Sequence, residues 1–155
     1  MEFILFLSRL DKEILDLLIE AKYIVEENKI ECLLNREIKG LHNFKENKII
    51  ICTENAKRKT NYRKKKQNPN EENIKTERAI RQALRHEATH AIQKCNDNKT
   101  VEDIGNLEGK LHHTKRKALD FSTSNFSGNY EKEVEAYILE DKPKKVKKFI
   151  KKYCL

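Results

Sequence analysis

The chain has 155 residues and a formal net charge of +8, with 37% of its residues hydrophobic and 37% charged. That length suits one domain, residues 1–155, with a single modest core, and the excess of charge leaves part of the chain as uncovered loop or tail. No apolar run is long enough to span a bilayer, and Phe3-Ile4-Leu5-Phe6-Leu7 is too short and lacks a basic leader, so a cytoplasmic protein with no transmembrane segment is expected.

Residues Ser8 to Glu27 place Leu10, Ile14, Leu17, Leu18, Ala21 and Ile24 at helical spacing, with Ser8 or Asp11 as cap, and predict a packing helix. Lys29 to Leu34 alternates loosely and reads as a short strand, followed by a turn at Gly40 and Asn43. Lys48 to Thr53, with its β-branched run Ile49-Ile50-Ile51, predicts a strand. It is either an edge on which an extended peptide could pair or a buried core strand. From Ala56 to Asn73 apolar residues almost vanish, which predicts a mobile basic insertion over 56–73. A helix then starts between Asn73 and Thr76 and ends near Asn96 or Asn98.

Ile104, Leu107 and Leu111 suggest a short helix, and Ser122 to Asn129 reads as loop; His112 and His113 between them are expected at the surface. Tyr130 to Asp141 regains helical character and carries Glu131, Glu133 and Glu135. Pro143 opens a last helix with Val146, Phe149, Ile150 and Tyr153 on one face and lysines on the others, which predicts a docked helix with a solvated basic side. The positive charge is thus clustered in two tracts, Lys57 to Lys66 and Lys142 to Lys152, which could attract an anionic partner weakly. Cys32, Cys52, Cys95 and Cys154 show no Cys-x-x-Cys spacing, so a zinc knuckle is not indicated and reduced thiols are expected.

The chemistry lies in Leu84-Arg85-His86-Glu87-Ala88-Thr89-His90-Ala91. On a helix, His86 and His90 stand one turn apart on the same face and can reach one zinc ion, while Glu87 lies about 100° round, where a general base for a metal-activated water belongs. Ile80, Leu84, Ala91 and Cys95 form an apolar stripe beside this face, and Ala79 and Ala83 leave room ahead of His86. A catalytic zinc needs a third protein ligand, and Ala91 to Thr100 holds no histidine, so it must come from farther along. Glu133 and Glu135 point about 200° apart on a helix, so only one can serve. Glu133 shares its face with Ala136, whose small side chain permits a close approach, and is the expected ligand; Glu135 is the alternative.

Ile49-Ile50-Ile51-Cys52-Thr53-Glu54-Asn55, His86-Glu87-Ala88-Thr89-His90-Ala91 with Cys95, and Glu133-Val134-Glu135-Ala136 together resemble the mitochondrial inner-membrane peptidases that process an ATP synthase subunit, with their cyanobacterial and phage-like relatives. The resemblance runs from about Lys48 to Ala136. It implies an α+β, zincin-like (minigluzincin) fold: a small twisted sheet, an active-site helix and a helix bearing the third ligand. It also implies that Cys52 and Cys95 lie near each other. Gln93 stands where the mitochondrial members usually have Asp, and the Cys that those members carry before the Glu-x-x-Ala segment is missing.

The expected function is a monomeric zinc metalloendopeptidase acting on a protein or peptide substrate, with metal ligands His86, His90 and Glu133 and with Glu87 as base. Tyr130, Tyr137, His112 and His113 are open candidates for stabilising the oxyanion. The rival readings are a catalytically degenerate zincin-fold chaperone or assembly factor, and a basic nucleic-acid-binding protein with structural zinc.

Overall fold

The structure is a computed structural model that describes residues 1–62, 71–103, 105, 109, 111–125 and 129–155. A short 3₁₀ turn, Glu2–Phe6, leads into α1 (Arg9–Glu20), β1 (Ile24–Glu27), α2 (Ile30–Leu34), β2 (Gly40–Asn43), β3 (Lys48–Ile51) and α3 (Thr53–Lys59). The long helix α4 (Glu71–Cys95) follows, then α5 (His113–Asn125), α6 (Tyr130–Leu139) and α7 (Pro143–Tyr153). The architecture is α+β, with one three-stranded sheet among the described residues.

Helix α1 starts where expected, in a capping box: the Ser8 hydroxyl accepts from the Asp11 backbone N–H at 3.3 Å and the Asp11 carboxylate accepts from the Ser8 N–H at 3.2 Å. It does not run to Glu27. Lys22 adopts φ 66°, which ends the helix, and Ile24–Glu27 becomes β1, parallel to β3 with Ile24 opposite Lys48. Lys29 to Leu34, expected as strand, is mostly helix α2; Ile30, Leu33 and Leu34 are exposed, so their loose alternation marks no buried face. Gly40 and Asn43, expected in a turn, bound strand β2, and the turn begins only where the Asn43 side chain accepts from the N–H groups of Lys45 and Glu46.

The β-branched run forms β3 as expected, but as the central strand, with β1 parallel on one side and β2 antiparallel on the other. The edge strands among the described residues are therefore β1 and β2, and β2 is the one that meets Glu87 of α4, at Gly40. Alternation along β3 sends Ile49 and Ile51 into the main core with α1, α4 and α7, and Ile50 to the opposite face with Cys32 and Cys52. The main core also takes in Phe3, Phe6 and Leu7 of the N-terminal turn, and Val146 and Ile150 of α7, whose lysines are exposed except for half-buried Lys147, paired with Glu13 of α1.

Of the basic stretch 56–73, residues 56–62 and 71–73 are described. Ala56–Lys59 is helical, 71–73 opens α4, and residues 63–70 lie outside those described. Lys57 is buried and ion-paired to Glu2 at 2.7 Å and Glu54 at 2.9 Å, and Tyr62 packs edge-on against Phe6. Neither is displayed as a nucleic-acid surface would need. Ile104 and Leu107 fall outside the described residues; Ser122–Asn125, expected as loop, is the last turn of α5.

The cysteines are paired, contrary to the expected thiols. Cys32 on α2 joins Cys52 after β3, and Cys95 at the end of α4 joins Cys154 after α7, with Cα separations of 5.4 and 5.2 Å. Cys52 and Cys95 thus each have another partner, because α2 covers the outer face of β3 while the last turn of α7 docks beside the last turn of α4. No helix among the described residues is long and apolar enough to cross a membrane.

Candidate metal centre

Helix α4 is held by its apolar stripe, with Ile80, Leu84 and Ala91 fully buried, and by a guanidinium clamp: Arg85 reaches the two oxygens of buried Asp11 at 2.6 and 3.0 Å. That leaves His86, Glu87 and His90 facing α6 and β2. The Nε2 atoms of His86 and His90 lie 3.2 Å apart. The Glu133 carboxylate closes the triangle, Oε2 at 3.4 Å from His86 Nε2 and Oε1 at 3.2 Å from His90 Nε2. The three side chains are only 12%, 10% and 15% exposed.

Each imidazole is oriented from behind. His90 Nδ1 lies 2.9 Å from Gln93 Oε1, and Gln93 spends its own N–H groups on the Lys132 carbonyl at 3.0 Å and Glu135 Oε2 at 2.8 Å. With its amide so fixed, Gln93 presents oxygen to His90, which places the proton on Nδ1 and the lone pair on Nε2. His86 Nδ1 lies 3.3 Å from Glu140 Oε2, and Glu140 is in turn held by Lys115 at 2.8 Å. Outer partners of this kind fix the tautomer of ligating histidines. Glu140 was not anticipated, although it lies seven residues after Glu133, a spacing that returns to the same helix face.

Glu135, the alternative ligand, points elsewhere. It is fully buried, and its Oε1 accepts from the backbone N–H groups of Val101 and Glu102 at 2.8 and 2.7 Å, tying the segment after α4 to α6. Burial raises its pKa, against the pull of those hydrogen bonds.

Electrostatics follow from this crowding. Burial opposes a charge on His86, but Glu133, Glu140 and Glu87 outweigh it and hold its pKa well above the ordinary value. Burial would raise Glu133, yet the two imidazoles keep it well below the usual carboxylate range. Burial raises Glu87, partly countered by the histidines. Glu87 is pressed against β2, where a Cβ on Gly40 would meet its side chain.

His86 and Glu87 open into a cleft of about 860 Å³, also lined by Ala79 and Ala83, as the small residues ahead of His86 implied. Of the four oxyanion candidates, Tyr137 and His112 line this cleft; the Tyr137 ring lies 4.5 Å from that of His86 and its hydroxyl bonds Ser122 Oγ at 2.9 Å. Tyr130 lines a separate small pocket and His113 is exposed outside the cleft. His42, not singled out in the sequence, is buried with both ring nitrogens unpartnered among the described residues, its ring nearly parallel to that of His90 at 6.5 Å.

The donor set fits a small divalent cation. Ligand atoms about 2.0–2.1 Å from a tetrahedral zinc are spaced about 3.4 Å apart; the two Nε2 atoms are 3.2 Å apart, each lies 3.2–3.4 Å from a different Glu133 oxygen, and one ligand atom from each residue falls within 4.8 Å of the others. Comparison with curated proteins and with solved structures gives no match. Residues 3–155 match a described family, and the chain belongs to it: Domain of unknown function (DUF8637).

Proposed function

We propose that the protein is a zinc-dependent endopeptidase with a zincin-like, minigluzincin arrangement. The observation that carries the reading is the convergence of His86, His90 and Glu133 at ligand spacing, with Glu87, next to His86 in the chain, lining the adjoining cleft. His86, His90 and Glu133 would hold zinc, with Gln93 and Glu140 fixing the imidazoles. A zinc ion there supplies Lewis acidity, which makes water a stronger acid and polarises a carbonyl. Glu87, its proton affinity raised by burial, accepts a proton from the attacking water and passes it to the leaving amine nitrogen. The outer edge of β2 offers backbone groups for an extended substrate, and Tyr137 or His112 can donate a hydrogen bond to the oxyanion. All four cysteines being paired favours an oxidising compartment over the cytoplasm that the sequence suggested.

The test pairs metal analysis of the purified protein with a proteome-wide cleavage screen of wild type and Glu87→Gln. About one zinc per chain in both proteins, with cleavage in the wild type alone, supports the reading. Zinc bound without cleavage in either favours a degenerate assembly factor, and absence of zinc binding on titration ends the peptidase reading.

A further inference from the structure

The cleft is charged in a way that the proton-transfer chemistry does not use. Lys39, Lys59 and Arg78 all line it. Lys39 immediately precedes Gly40, the residue against which Glu87 packs, and Arg78 lies two helical turns ahead of His86 on α4. The acids on the same walls are occupied. Glu37 is paired with Lys59 at 2.7 Å and Arg58 at 3.8 Å. Glu140 and Asp141 share Lys115 at 2.8 and 2.7 Å, and Gln82 donates to the other oxygen of Asp141 at 2.8 Å. Among the described residues, Lys39 and Arg78 have no carboxylate within 4 Å, and both are exposed. Surrounding chain, and then the charge of Lys59, push the Lys39 pKa below the ordinary lysine value against a smaller pull from Glu140, and Arg78 lies near enough to Asp141 to help lower its pKa without pairing with it.

We propose that Lys39 and Arg78 form an acceptor for a carboxylate of the substrate, selecting peptides with an acidic side chain or a free C-terminal carboxylate close to the scissile bond. This rests on the peptidase reading. Both cations line the cleft into which Glu87 opens, Lys39 just before β2 and Arg78 on α4. The sources of the carboxylate differ in consequence: a side chain makes an acid-selective endopeptidase, and a C terminus makes an enzyme that trims ends.

Binding is measured by fluorescence anisotropy on zinc-loaded Glu87→Gln protein, so that cleavage does not interfere, with three labelled peptides of one core sequence. One is C-terminally amidated with a central Glu, one amidated with Gln in its place, and one carries Gln with a free C terminus. At least one carboxylate-bearing peptide should bind about ten-fold more tightly than the amidated Gln peptide, with the advantage shrinking as salt rises. Adding Lys39→Ala or Arg78→Ala should remove most of that advantage, and Lys39→Glu should turn it into a preference for a Lys-bearing peptide. Both positions are exposed, and circular dichroism checks that each variant is folded. Tighter binding by the Glu peptide assigns a side-chain acceptor, and by the free C terminus a terminal one. Equal affinity for all three peptides, or an advantage that survives both substitutions, overturns the proposal. Carboxylate-selective binding by a wild type that cleaves nothing would overturn the peptidase reading instead.

Discussion

A Cβ on Gly40 would lie 2.7 Å from Oε1 and 2.8 Å from Cγ of Glu87, so strand β2 and helix α4 meet where a methyl group does not fit. Gly40→Ala should therefore displace the Glu87 carboxylate while leaving the ligand triangle alone. On the proposed peptidase reading, the expected result is a fall in kcat/KM of about a hundred-fold with zinc content unchanged, since misplacement of a catalytic group by about 1 Å costs that much. Wild-type turnover in this variant would show that Glu87 can retreat into the cleft without penalty.

The two glutamates of α6 should separate cleanly. Glu133→Ala removes the carboxylate that faces both imidazoles and should abolish stoichiometric zinc, read by metal analysis after dialysis. Glu135→Ala should keep the metal but leave the N–H groups of Val101 and Glu102 without their acceptor, lowering stability in urea by about 2 kcal/mol. The opposite pattern would reassign the third ligand.

Tyr23 gives an alkaline signature. Its hydroxyl donates to the Ala91 carbonyl at 3.2 Å, and burial pushes its pKa from 10.0 up to about 12. Between those values the unfolded chain has lost the proton while the folded chain keeps it, so stability falls as pH rises through this window. Tyr23→Phe should flatten the fall by about 1–2 kcal/mol, measured as the difference in unfolding free energy between pH 9 and pH 11 in the two proteins.

Non-reducing mass analysis with an alkylating agent should detect no free thiol, and Cys95→Ser with Cys154→Ser should cost about 2–4 kcal/mol, because that bond joins positions 59 residues apart. Labelling of all four cysteines in the unreduced native protein would restore the thiols read from the sequence.

How far the sequence could be read depended on whether its spacing reported burial. In α4 it did: Ile80, Leu84 and Ala91 repeat because one face is buried, and His86, Glu87 and His90 fall beside it. In α6 the face shared with Ala136, with the Glu-x-x-Ala pattern of the resemblance, pointed to Glu133, and the structure places its carboxylate beside both imidazoles. Spacing failed after α1, where Ile24 continues the helical pattern yet is half exposed in β1, and the break at Lys22 has no glycine or proline to announce it. It also failed for the cysteines, since Cys32–Cys52 and Cys95–Cys154 depend on which elements stack. Gly40 looked like a turn residue because a turn and a close approach both call for a missing Cβ. Gln93 stood out only as a departure from a resemblance, and its task emerged once Glu135 and the Lys132 carbonyl were seen to fix its amide.

The outer side of β2 has a further consequence for the protein as a material. Four residues of strand with one flank unpaired among the described residues can template a second copy, the route by which sheet proteins associate in concentrated solution. Here the flank is short and bracketed by exposed Lys39 and Lys45, so two copies approaching edge to edge in antiparallel fashion would bring cations together. A polypeptide with acidic residues meets no such repulsion, so an edge of this kind would favour such a partner over a second copy of the chain.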